Sequence, residues 1–175
     1  MFFKKKIPLQ QYCTASIKAA FEHSDEATGE TFRRSCGDSF FSAADPQLYL
    51  SHLRAVFIEL MLIAIAKNCN TDTSLQAVIF VHTQIKELNC PQISELCHDY
   101  SQAFASSSTD GIRNMVLHFN AAVTAGRMRQ ETIERLNAEF YAVLMSHFND
   151  FKSIKLISSS WWSFERWLAK RHDHG

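Results

Sequence analysis

Ala55-Val56-Phe57-Ile58-Glu59-Leu60-Met61-Leu62-Ile63-Ala64-Ile65-Ala66 is the stretch that decides the fold. Twelve residues hold a single charge, Glu59, and no alternation of apolar with polar positions. A run that is apolar on every side belongs to an element buried on every side. Its length suits a core helix better than a membrane span, which needs about 20 apolar residues. The longer segment Leu48 to Ala66 also carries His52 and Arg54, and these would be costly in lipid. Asp45-Pro46 supplies a carboxylate cap followed by a proline in the first helical turn, so the helix is expected from there to about Asn68.

Amphipathic helices are predicted around this central one. Leu9, Tyr12, Cys13, Ile17, Ala20 and Phe21 make one apolar face over about Leu9 to His23. Thr73-Ser74-Leu75-Gln76 reads as a capping box, with Val78, Val81, Ile85 and Leu88 on the core side of the helix it opens. Pro91 begins another, whose inner face is Ile93, Leu96, Cys97, Tyr100 and Phe104. Ser108-Thr109-Asp110 caps the next, with Ile112, Met115, Val116, Phe119 and Val123 at helical spacing and Gly126 as its stop. A stripe from Ile133 through Leu136, Phe140, Val143, Leu144, Phe148 and Phe151 defines a long helix starting near Gln130. A short Trp-rich helix, 161–171, follows the serines at 158–160. No strand pattern or internal repeat is read. The expectation is a single all-α domain over 1–175, a bundle of six to seven helices joined by short loops. Residues 24–44 break the periodicity and suggest a lid or mobile connection. Met1-Phe2-Phe3-Lys4-Lys5-Lys6 reads as an unordered terminus.

Net charge is zero, so no overall field steers the chain to nucleic acid or anionic lipid, although a local basic patch survives such an average. The five cysteines are odd in number and irregularly spaced, and the N-terminus lacks the apolar core of a signal peptide. Reduced thiols in a cytoplasmic protein without a transmembrane segment are expected. No cofactor or metal site is expected. Cys90, Cys97 and His98 match no zinc-knuckle spacing. Glu95-Leu96-Cys97-His98 is one E-x-x-H without a second, and lies on a polar face where a di-iron ligand set would have to point inward. His82 and His147 border apolar stripes as ordinary boundary histidines.

The chemistry-bearing stretch is Arg113-Asn114-Met115-Val116-Leu117-His118. Arg113 falls in a first helical turn, where free N–H groups and the helix dipole favour an anion. His118 is the side-chain type that serves as both acid and base near neutrality. The R-N-x-x-x-H pattern, with the aromatic Phe119 just after the His, resembles the signature of the HEPN domains. These are small all-α proteins, many of them metal-independent ribonucleases of defence and toxin–antitoxin systems. Glu59, alone in its apolar helix, is similar to a glutamate that members often carry there. The resemblance covers about Pro46 to Gly126. It implies a homodimer that cleaves RNA, with His118 in acid–base catalysis, Arg113 stabilising phosphorane charge, Asn114 holding the phosphate or orienting the imidazole, and Glu59 in support. Dimerisation matters because Arg113 sits about 140° around the helix from His118. Ala121, Ala122 and Ala125 flank His118 and are small enough for close approach of another helix.

Plainer readings stand beside this one. A helix arginine is usually solvated, a flank histidine is usually a hydrogen-bonded boundary residue, and His52 with Glu59 makes a narrow solvent-facing stripe. The alternative function is a non-enzymatic interaction module (an immunity protein, antitoxin or adaptor). It would use Trp161, Trp162, Phe164 and Trp167 together with the Phe32–Phe41 region as contact surfaces. Packing of the Trp-rich helix back onto the bundle is the simpler fate for so much apolar area. A third reading keeps the fold but binds RNA or nucleotides without cleaving. The enzyme requires an accessible His118 with Arg113 in reach, in one chain or across a dyad. The module requires a covered His118 and an exposed apolar patch elsewhere.

Overall fold

The computed structural model describes residues 5–22, 46–106, 110–124, 129–158, 160, 163–166 and 169. Their order is β1 (Lys5–Pro8), α1 (Leu9–Glu22), α2 (Pro46–Asn68), α3 (Thr71–Glu87), α4 (Pro91–Ala105), α5 (Gly111–Thr124) and α6 (Gln130–Asp150). A 3-10 turn (Phe151–Ser153) and β2 (Ile154–Ile157) follow. The fold class is all-α, with one short strand pair added.

The apolar run forms the axis of the bundle. α2 packs against α1, α3, α4, α5 and α6, which explains why Leu53, Val56, Ile58, Leu60 and Ile65 are all buried although they point in different directions. Leu48–Asn68 is long and apolar enough to cross a membrane by length and composition, but 72% of its apolar window is buried inside the protein.

The neighbouring helices bury the faces their periodicity marks, with corrections at the ends. α3 starts at Thr71, two residues before the expected capping box. Its cap is Asn70, whose side-chain oxygen accepts from the Thr73 N–H at 2.8 Å. Its core face is Ala77, Phe80, Val81 and Ile85. Val78 and Leu88, assigned to the core from sequence, are 39% and 49% exposed. α3 ends in a Schellman closure: Asn89 N–H bonds Lys86 O and Cys90 N–H bonds Ile85 O. Asn89 takes the left-handed φ of 54° that this closure needs, and Pro91 opens α4 immediately after. α4 buries Ile93, Cys97 and Tyr100, and α6 buries Leu136, Phe140 and Leu144, as expected.

β1 and β2 correct two expectations. They pair in parallel, Lys5 opposite Ile154 through Pro8 opposite Ile157. Strands do occur, then, and Lys5 and Lys6, read as part of an unordered terminus, lie in one. Ile154 and Leu156 are half-buried while Lys155 and Ile157 face solvent, the period-two pattern of a strand four residues long. So short a segment leaves too little periodicity for sequence to register.

Phe164 is 1% exposed, so its ring is taken up by the bundle and is not free for a partner. Trp161, Trp162, Trp167, the 24–44 segment, Asp45, Cys36, Gly126 and Ala125 lie outside the described residues.

Candidate functional site

Asp110 caps α5, its Oδ1 accepting the Arg113 N–H at 3.0 Å. Gly111 lets this end of the helix sit against α4. A Cβ built on it would stand 2.5 Å from the Phe104 ring and 2.6 Å from the Phe104 carbonyl oxygen. The six residues from Arg113 to His118 then distribute the motif over two flanks of α5. On one, Arg113 is exposed and lines a cleft of about 380 Å³ between α5 and α6, with Asp110, Leu117, Glu134, Asn137 and Tyr141 among its walls. Its charge environment is mixed, since two carboxylates share the cleft with the guanidinium. The Tyr141 phenol bonds Asp110, which raises its pKa, while the Arg113 charge pulls the other way.

Asn114 and His118 occupy the other flank, facing α4. The Asn114 amide donates to Ser106 Oγ at 2.9 Å, tying α5 to the end of α4. His118 is half-buried. Its ring meets the Tyr100 ring edge-to-face at 5.1 Å and lies 6.5 Å from the His52 ring, centroid to centroid. Within one chain, therefore, Arg113 and His118 lie on different flanks of α5, as the helical angle between them requires.

The solvent-facing stripe expected of His52 and Glu59 is not found: they are 6% and 7% exposed. His52 Nδ1 lies 2.9 Å from the Tyr100 hydroxyl. Burial lowers the His52 imidazole below its usual value, the His118 charge adds to this, and Asp99 opposes it. Glu59, two turns further along α2, is raised to about 7 by burial, with a hydrogen bond from Ser101 acting in the opposite sense. Cys97 donates to Ala55 O at 3.6 Å. Burial, assisted by Glu59, raises its thiol, so it has no thiolate character to offer as a nucleophile near neutrality. Burial also pushes the Cys13 thiol up, to about 12. Among the described residues no group of three or more metal-ligating side chains converges. Glu95 and His98 are both exposed, and His98 engages Gln102. His82 bonds Ser94 Oγ at 3.2 Å, and His147 packs edge-on against Phe57 at 5.3 Å.

Tyr100 is the residue that sequence reading passed over as core. Its signal is chemical: a phenol on an inner helix face brings a hydroxyl that needs a partner, and His52 sits on the helix it packs against. The unit assembled is two imidazoles and a phenol from three helices, with a buried hydrogen bond between the inner imidazole and the phenol, and an exposed cation on the other flank of α5. Comparison of the chain with family models, with curated proteins and with solved structures returns no match.

Proposed function

We propose that this chain is a HEPN-like, metal-independent endoribonuclease of a defence or toxin–antitoxin type, acting in the cytoplasm as a homodimer. The observation that carries the reading is the setting of His118. It is half-exposed at the junction of three helices, backed by a second imidazole and a phenol, and one turn beyond Asn114. A histidine that only finishes a helix boundary does not require that backing.

The chemistry uses the substrate's own nucleophile. His118 takes the 2′-hydroxyl proton as O2′ attacks phosphorus, or protonates the departing 5′-oxygen, a role worth about 10²–10⁴ in rate. The products are a 2′,3′-cyclic phosphate and a 5′-hydroxyl, so DNA is not a substrate. Arg113 stabilises the charge that grows on the phosphorus oxygens. Because Arg113 lines the α5–α6 cleft and His118 faces α4, the pair is completed by a second chain. Glu59 supports the α2–α4 packing behind the site and does not touch RNA.

The test is cleavage of total RNA by the purified protein in EDTA, beside His118→Ala and Arg113→Ala. Sedimentation of the same samples reads the dimer. Cutting by wild type alone, with cyclic phosphate ends, is expected. Equal behaviour of all three proteins removes the catalytic role of the pair. The interaction module is then the better reading.

A further inference from the structure

His52 is not part of the motif, yet it is buried and hydrogen-bonded beside it. Three rings from three helices meet there: His52 on α2, Tyr100 on α4 and His118 on α5. Tyr100 touches both imidazoles edge-to-face, at 5.9 Å and 5.1 Å. The His52–Tyr100 hydrogen bond is 2.9 Å long and buried, which fixes the orientation of the inner ring. We propose that His52 and His118 form a coupled pair sharing one positive charge, with Tyr100 fixing His52 as the positioning residue of the site. The proposal rests on the acid–base role given to His118 above and adds a second imidazole whose charge is tied to that of its neighbour.

The physical argument is one of cost. Two imidazolium ions with ring centres 6.5 Å apart repel each other, and the inner one would also give up its hydration. The inner ring, buried, therefore stays neutral where a free imidazole would take up a proton. The titratable groups facing His52 are Asp99 and Tyr100 from α4 and His118 from α5. Burial holds the Tyr100 phenol protonated throughout, so its O–H can donate to the Nδ1 of neutral His52, leaving the His52 proton on Nε2. Environments that separate two titratable neighbours in this way are how sites keep one acid and one base present at the same pH. An anionic phosphate at His118 relieves the repulsion and lets the second proton bind.

Imidazole ¹⁵N and ¹³C resonances of the full chain, followed between about pH 5 and pH 8, test this directly. In wild type His52 is expected to titrate below its usual value and in a single tautomer. His118→Gln should raise the His52 midpoint by about 0.5 to 2 pH units, the range for charges at this separation in media between water and a protein interior. Tyr100→Phe should keep the fold and move the two His52 nitrogen shifts toward a mixture of tautomers. An unchanged His52 midpoint in His118→Gln overturns the pair, as does an unchanged tautomer in Tyr100→Phe. The readout is independent of RNA. A coupled titration in a protein that leaves RNA intact removes the ribonuclease and keeps the coupling. Independent titrations in a protein that cuts RNA remove the coupling alone.

Discussion

Glu59→Gln is expected to stabilise the protein, and to do so only above acid pH. Glu59 is 7% exposed within the α2–α4 packing, and burial raises its carboxyl from 4.5 to about 7. The folded chain thus keeps this proton over a range where the unfolded chain has lost it, and folding stability falls as pH rises across that range. The cost is absent below about pH 4.5, grows toward pH 7 and is constant beyond. Its full size is about 3 kcal/mol, taking roughly 1.4 kcal/mol for each pH unit between the two values. That is a large share of a typical folding free energy of about 5–15 kcal/mol. Glutamine keeps an oxygen that can accept from Ser101 and removes the ionisation. Urea unfolding of both proteins at several pH values between about 4 and 8 gives the difference. It should be near zero at the acid end and about 2–3 kcal/mol in favour of Gln above pH 7. His52 acts with the opposite sign: its lowered value makes stability rise with pH up to the usual imidazole range. That contribution is common to both proteins and cancels. A difference that is flat with pH, or a variant less stable at pH 8, would refute the assignment of Glu59 as an acid that burial keeps protonated.

Other outcomes follow from single contacts. Gly111→Ala should destabilise the fold by about 1–3 kcal/mol, seen as a lower Tm, because the new methyl meets the Phe104 backbone carbonyl as well as its ring. Asn137→Ala should cost about 1–3 kcal/mol in urea unfolding, since it deprives the buried Asn120 amide of the oxygen it donates to between α5 and α6. His118→Ala and Arg113→Ala should each lower RNA cleavage in EDTA, His118→Ala by about 10²–10⁴, without lowering Tm appreciably, because both side chains are at least partly exposed.

The bundle is legible in the sequence because each helix carries its own local physics. The unbroken apolar run of α2 requires burial on all sides. The stripes of α4 and α6 mark faces that the fold buries, and Asp110, by its side-chain cap, and Pro91, by its fixed backbone angle, mark helix starts locally. Where the physics is not local, the sequence does not decide the outcome. Val78 and Leu88 satisfy a 3.6 period yet face solvent, because only the packing of α3 on α1, α2 and α4 decides which part of an apolar arc is covered. β1 and β2 are 4 residues each and find their partners about 150 positions apart, so neither has enough sequence of its own to announce a strand. At the site, the sequence supplied Arg113, Asn114 and His118 and the angle that separates them, which the structure reproduces as two flanks of α5. What the chain alone could not supply is the burial of His52 and Glu59 and the phenol between the imidazoles. A polar residue on an apolar helix looks the same in sequence whether it faces water or a hydroxyl on the next helix, and only the approach of α4 to α2 distinguishes the two.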